Sequence, residues 1–187
     1  MKKLMSFVLV LSALLASACS GTKKTDWKEE VQLADGSVIV VQRSAQAKGF
    51  GEMGGPSGLR DLKESLQVVS SPYPMPPSWN DIYAPILLDY DVSKKEWFLV
   101  ATFYMCEDWR RLGRPKSPYL EYRVRNGEWA RVSLDPKLFE RDTNLLTGPN
   151  FIDGEPEVLR LPEKQKRRGN VAEDFKKIRS VSTDNHC

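Results

Sequence analysis

The sequence predicts a mainly β domain, an antiparallel sheet or small sandwich built from hairpins and followed by a short C-terminal helix. Two features carry this prediction. Asp35-Gly36 and Asn126-Gly127 are dipeptides typical of tight hairpin turns, because such turns need positive φ at both central positions. Each dipeptide is flanked by segments in which apolar and polar side chains alternate, as in half-buried strands.

The first hairpin is predicted to join residues 29–34 to residues 37–43. A two-residue turn would place four apolar side chains on one face, with Leu33 opposite Val38 and Val31 opposite Val40. The glycine-rich residues 46–58 that follow are predicted to form a loop, since glycine is entropically unfavourable inside strands.

The next segments predict a helical turn over 59–64 and a short strand over 66–70. Residues 71–85 contain five prolines, which favours an extended crossover rather than a central strand or a helix. Residues 86–90 and 96–104 then form a strand pair, and the apolar run in 97–101 makes the second strand a central one.

The second hairpin is predicted over residues 119–134, with Leu120, Tyr122 and Val124 inward and the intervening charges outward. A strict two-residue turn conflicts with the apolar pattern after Trp129. Either both faces of this hairpin are covered or a bulge shifts its register.

The C-terminal third predicts irregular structure over 136–154, a late strand over 157–161 and a short helix. Asn170 is the expected N-cap of that helix and Glu173 its third residue. Val171, Phe175 and Ile178 give it an inward face at helical spacing.

The N-terminus has the layout of a secretory signal peptide over residues 1–18. Lys2 and Lys3 precede the apolar residues 4–15, and the small residues 16–18 follow them. The apolar stretch is shorter than the roughly 20 residues that cross a bilayer. Residues 15–19, Leu-Ala-Ser-Ala-Cys, resemble the lipobox of bacterial lipoproteins, and this resemblance covers the N-terminal segment alone.

The resemblance implies that Cys19 carries diacylglycerol and fatty acyl chains such as palmitate, which anchor the protein to a membrane. Ser20, in place of an aspartate that signals inner-membrane retention, favours an outer membrane lipoprotein facing the periplasm. Residues 16–18 also fit the ordinary signal peptidase, whose cleavage would release a soluble periplasmic protein. Residues 19–26 are expected to be a flexible tether, and 27–187 a single domain.

The chain has three cysteines, and an anchor at Cys19 leaves Cys106 and Cys187 for one disulfide bond in an oxidising compartment. In the entropy model such a bridge stabilises by about 4 kcal/mol. A metal site is not expected, because His186 is the one histidine and would raise the ligands to three. No cofactor is predicted, since the G-x-G-x-x-G match at 49–54 is followed by Gly-Pro rather than a helix.

Removal of Lys2 and Lys3 leaves 26 basic against 25 acidic side chains, so the mature chain is nearly neutral. The basic precursor therefore does not indicate a nucleic-acid partner. The basic run over 164–168 is interpreted as a surface segment.

A candidate surface for a partner protein or glycan lies within residues 107–118, where an aromatic side chain accompanies forked cations: Trp109, Arg110, Arg111 and Arg114. A solvated loop is the alternative for that segment.

The sequence favours a non-enzymatic binding or accessory module, without a catalytic residue being assigned. The alternative is a periplasmic hydrolase of cell-wall glycans that uses two carboxylates among five acids: Glu29, Glu30, Glu107, Asp108 and Asp153.

Overall fold

The chain folds into two four-stranded antiparallel sheets, which confirms the predicted mainly β class. The computed structural model describes residues 22–51, 57–103, 106–147, 157–168 and 173–180. Sheet A consists of β1 (Thr22–Gln32), β2 (Val38–Gly51), β3 (Ser57–Ser70) and β4 (Trp79–Asp81). Sheet B consists of β5 (Ala84–Asp91), β6 (Glu96–Thr102), β7 (Tyr119–Arg125) and β8 (Glu128–Val132).

The helices are short and lie outside the sheets. They are α1 (Cys106–Arg111), a 3₁₀ turn (Pro136–Leu138), α2 (Leu161–Arg168) and α3 (Glu173–Lys176). Among the described residues, none of these helices has the length and apolar character needed to cross a bilayer. Helix α3 is the predicted short C-terminal helix, but it ends at Lys176, so Ile178 lies beyond it and bonds to Arg141 through its backbone instead of extending a helical face. Asn170 and Val171 lie outside the described residues.

The main core lies between the two sheets. Val31, Ile39 and Leu66 of sheet A pack in one cluster with Leu99 and Tyr122 of sheet B. A second cluster covers the other face of sheet B, where Phe98 and Val100 meet Leu138 and Ile178. Sheet B is thus covered on both faces, which explains the apolar run of β6 between its neighbours β5 and β7.

The first hairpin forms with a register one residue away from the prediction. Leu33 pairs with Ser37, and Val31 pairs with Ile39 rather than Val40. The loop therefore has three residues and ends on Gly36 at φ +88°, a turn followed by a left-handed residue. The Asp35 carboxylate accepts hydrogen bonds from the Ser37 amide at 2.9 Å and hydroxyl at 2.7 Å. Ile39 and Val41 consequently face the core, and Val38 is 46% exposed.

The predictions for residues 46–51 and 57–64 are wrong, and residues 52–56 lie outside the described part of the chain. Residues 46–51 continue β2, and residues 57–64 belong to β3 rather than to a helical turn. The two segments pair with each other across the sheet, and this pairing supplies their backbone hydrogen bonds. The gain from pairing is larger than the cost of placing glycine in a strand. The G-x-G-x-x-G match begins in a strand, and its last three residues lie outside the described part of the chain.

The second hairpin resolves its conflict by burying both faces. Val124 pairs with Trp129 and Glu121 with Val132 without a bulge, so the two-residue turn is regular. Tyr122 packs in the main core as predicted, but Glu121 and Arg123 are buried on the opposite face rather than exposed. Arg123 donates to Glu121 at 2.6 Å and to Glu96 at 2.9 Å. The buried charges of Arg123 and Glu121 are therefore paired with each other.

The proline-rich residues 71–78 form the expected crossover, but it is shorter than the predicted 71–85, because residues 79–81 form β4 and Pro85 lies in β5. Indole N–H groups from sheet B hold this crossover. Trp97 donates to the Pro74 carbonyl at 2.6 Å, and Trp129 to the Pro77 carbonyl at 2.8 Å. Prolines cannot donate, so their carbonyls supply the contacts that fix the segment.

Boundaries near both ends of the described chain also differ from the sequence prediction. Sheet A begins at Thr22, so residues 22–26 are strand rather than tether. Their partners are residues 44–48 of β2, which supply the backbone hydrogen bonds. The predicted strand over 157–161 is reduced to an isolated parallel bridge between Glu29 and Leu159, and α2 starts at Leu161.

Candidate functional site: a basic cleft beside helix α2

The surface predicted around Trp109 does not expose the tryptophan side chain. Trp109 lies in α1, is only 7% exposed, and donates its indole N–H to the Pro115 carbonyl at 3.1 Å. Arg110, Arg111 and Arg114 are exposed, and Arg114 lies over the buried ring at 5.8 Å. Three arginines without an exposed aromatic make a solvated surface, not the expected aromatic and cationic one.

The predicted cysteine positions are only partly described. Cys106 begins α1 and is disulfide-bonded, but its partner lies outside the described residues. Cys19, Cys187 and His186 also lie outside them, so the predicted pairing and the lipid site stay predictions. Within the described residues, no cluster of three or more His, Cys, Asp or Glu side chains could hold a metal ion.

Helix α2 is attached to the edge of sheet A at β1. Leu159 exchanges backbone hydrogen bonds with Lys28 and Glu30, each at 2.9 Å. The Glu30 carboxylate then accepts from the Leu161 amide at 3.1 Å and from Arg160 at 2.5 Å. These bonds hold the pKa of Glu30 below its ordinary value, with the Arg160 contact the largest cause. Glu30 thereby fixes the start of the helix.

A buried ionic network joins α2 to the interior of sheet A. Arg43 on β2 binds Glu29 on β1 and Glu64 on β3, both at 3.1 Å. Lys164 of α2 reaches the second oxygen of Glu29 at 2.5 Å, and the Leu146 amide donates to that oxygen at 3.0 Å. The charges of these two acidic and two basic side chains cancel, and each side chain is nearly inaccessible to water.

The network gives Lys164 an unusual environment for a lysine. Burial lowers the pKa of its ammonium group, and the adjacent Glu29 carboxylate opposes this shift. The same ammonium donates to the Glu30 carbonyl at 2.7 Å. Lys164 therefore has partners on two consecutive residues of β1, and the basic run over 164–168 is not merely a surface segment.

Two chain segments lie side by side beneath α2. The Thr143 amide donates to the Lys176 carbonyl at 2.9 Å, and the Ile178 amide to the Arg141 carbonyl at 2.9 Å. Asn144 ties the first segment to β5, since its side chain both accepts from and donates to Leu88. Residues 140–144 and 176–179 thus form a fixed floor.

A cleft of about 660 Å³, called the basic cleft below, lies where α2 meets this floor. Its lining consists of four cations, one carboxylate and one amide: Arg168, Lys176, Lys177, Arg179, Asp142 and Gln165. Such a volume is within the range of small-molecule sites. Four positive charges against one negative charge create a local field that attracts anions.

Arg168 connects the wall of the basic cleft to its floor. Its guanidinium donates to the Thr143 carbonyl and hydroxyl and, at 2.9 Å, to the Lys176 carbonyl. Burial lowers the pKa of Arg168, while Asp142 and Glu29 oppose that shift. Because these bonds fix its planar head, Arg168 contributes charge at a defined position.

A neighbouring cleft of about 470 Å³ shares Asp142, Gln165 and Arg168 with the basic cleft. It also reaches Arg141 and the buried Lys164. Arg141 binds the Asp89 carboxylate and lies over the Phe98 ring at 5.4 Å. The two clefts are therefore contiguous beside α2.

Of the five acids named for the hydrolase alternative, Glu29 and Glu30 do not form a facing pair. Glu29 and Glu64 are buried, but the Arg43 guanidinium lies between them and binds both. Glu30 faces away from Glu29 and binds Arg160. The side chain of Glu107 and the whole of Asp153 lie outside the described part of the chain. The arrangement around α2 is suited to binding anions rather than to moving protons between two acids.

Comparison with protein-family models, curated proteins and solved structures finds no significant match to this chain.

Sequence reasoning missed the basic cleft, because its residues come from three separate segments. A signal for the ionic network was present, however. Glu29 lies between Trp27 and Val31 on the apolar face of β1, and Arg43 lies between Val41 and Ala45 on β2. A charge at an inward strand position needs a partner, and opposite charges on adjacent strands supply one.

Proposed function

We propose that this protein is a lipid-anchored module of the bacterial envelope whose folded domain binds an anionic ligand in the basic cleft, without catalysis. The single observation that supports binding is the convergence of Arg168, Lys176, Lys177 and Arg179 on one cleft with Asp142 as its one acid. The anchor is supported by the lipobox-like residues 15–19.

The chemistry of the lining favours a ligand with phosphate or carboxylate groups. Guanidinium and ammonium groups are the side chains that bind such anions with charge-assisted hydrogen bonds. Arg168 is already fixed by Thr143 and Lys176, so little side-chain entropy is lost at this position when a ligand binds. Lys177, with a side chain 42% exposed, is reachable from solvent.

Calorimetric titration with inorganic phosphate at low salt tests the binding proposal. We expect saturable binding that weakens as salt rises, and its loss in the double variant K177E/R179E. The matched control is R110E/R111E, which makes the same charge change on exposed arginines of α1. Equal binding by both double variants, or no binding by the parent protein, would refute the proposal.

Intact-mass analysis of the protein purified from membranes tests the anchor. We expect a mature chain beginning at Cys19, with the added mass of two or three acyl chains, because fewer would not hold it durably. A mature chain that begins at Cys19 without added mass would instead indicate the soluble periplasmic form.

A further inference from the structure

Sheet A carries a set of lysines at the end where the described chain begins. Lys24 of β1 lies opposite Gln46 of β2, and Gln46 lies opposite Lys63 of β3. Lys48 follows two residues after Gln46, and alternate residues of a strand share a face. Lys24, Lys48 and Lys63 are therefore on one face of the sheet, and are called the lysine patch below.

The lysine patch is on the solvent side of sheet A. Residues at the alternate positions of β1 and β2, such as Trp27, Ala45 and Ala47, are buried on the opposite face. All three lysines are exposed, and Lys24 is 54% exposed at its side chain. Lys24 and Lys63 line a groove of about 300 Å³ whose other lining residues are mainly hydroxyl and amide side chains. Asp26 is the one carboxylate in that groove, and it pairs with Lys24 at 2.9 Å.

The start of β1 determines how far this patch lies from the proposed anchor. Thr22 is the first strand residue and pairs with Lys48. Three residues of extended chain span at most about 11 Å, so Thr22 lies within that distance of Cys19. A long flexible tether would allow any face to meet the membrane, but a strand that begins at Thr22 does not leave one.

From these observations we infer that the lysine patch contacts the anionic lipid headgroups of the membrane in which Cys19 is anchored. This inference rests on the proposed lipid anchor. Positive side chains close to a bilayer are attracted to anionic lipids and supply a second signal beside the acyl chains.

The basic cleft lies some distance along β1 from the lysine patch. Helix α2 joins β1 at Glu29 and Glu30, seven to eight residues beyond Thr22. At about 3.3 Å per residue, this attachment lies roughly 25 Å further along the strand. The patch and the cleft thus have different occupants, a bilayer surface and a ligand in the periplasm.

Lysine acylation of the lipidated full-length protein, read by mass spectrometry, tests the inference. The protein is reconstituted in vesicles of phosphatidylcholine alone and in vesicles that also contain phosphatidylglycerol. We expect Lys24, Lys48 and Lys63 to react about fivefold more slowly in the anionic vesicles. The exposed Lys94, Lys95 and Lys137 serve as controls and should react equally in both.

Equal reactivity of the patch lysines in both vesicles, or protection of Lys176 and Lys177 instead, would overturn the inference while leaving the anchor intact. The mass of the N-terminal peptide from the same sample reports the lipid separately, so a missing lipid identifies failure of the anchor itself.

Discussion

Lys164 of α2 and Glu29 of β1 form a buried ion pair at 2.5 Å, which joins the wall of the basic cleft to the interior of sheet A. Glu29 in turn binds Arg43, which lies over the Trp27 ring at 4.9 Å. The position of α2 therefore depends on a charge placed inside a strand, and the cleft depends on the position of α2.

Replacing Lys164 by methionine should destabilise the fold by about 3 kcal/mol, because it removes one partner of a buried charge network. Lys166, exposed on the same helix, provides the matched control, and K166M should change stability by less than about 0.5 kcal/mol. Urea unfolding of both variants measures the difference. Equal stability of the two variants would contradict a role for Lys164 in the network.

The contact between Glu30 and α2 should make stability depend on acid pH. Its pKa in the folded state lies below the ordinary value of 4.5, chiefly because Arg160 binds it. Its contribution is therefore present above that value and is lost as pH falls through the folded pKa. We expect the parent protein to be more stable than E30Q near neutral pH, and this gap to shrink below pH 4.5. Urea unfolding across a pH series measures it, and a gap that does not change with pH would disprove the linkage.

The turn at Asn126-Gly127 should be sensitive at its second position. Gly127 has φ +80°, a left-handed conformation that side chains with a Cβ disfavour. Gly127→Ala should therefore lower the free energy of unfolding by about 1–2 kcal/mol. Asn126→Gly, at φ 52° in the same turn, should be neutral to within about 0.5 kcal/mol. Thermal unfolding of the two variants measures the difference. Unchanged stability of G127A would contradict the left-handed conformation at this position of the turn.

Non-reducing peptide mapping should link Cys106 to Cys187. Cys106 is disulfide-bonded, and the lipid proposed for Cys19 would leave Cys187 as the available partner. Reduction should lower stability by about 2–4 kcal/mol. A linked peptide containing Cys19 and Cys106 would contradict the pairing and the lipid anchor together.

Local patterns predicted the second hairpin well. The boundaries of β7 follow from alternation before Asn126-Gly127, but the pattern left the register after that turn open between a regular turn and a bulge, and the structure has the regular turn. The burial of Glu121 and Arg123 could not be predicted, because the layer that covers them comes from the distant Leu138 and Ile178. The first hairpin was predicted less well. Its loop has one residue more than the predicted two-residue turn, so Ile39 rather than Val38 faces the core.

The candidate site was less predictable than the fold. Lys164 and Arg168 belong to a run of charges that is typical of a surface segment. Their roles depend on Glu29 and Thr143, which are distant in sequence and near only after the sheets form. Trp109 is buried instead for a local reason, because its indole N–H donates to the carbonyl of nearby Pro115.

The most direct test of the account is a nuclear magnetic resonance titration of the labelled protein with inorganic phosphate. Binding in the basic cleft predicts saturable shifts of the backbone amides of residues 141–144, 165–168 and 176–179. The amides of Arg110 and Arg111, on the surface first suggested by the sequence, should not move. Shifts confined to α1, or no saturable shift at any residue, would contradict the proposed function.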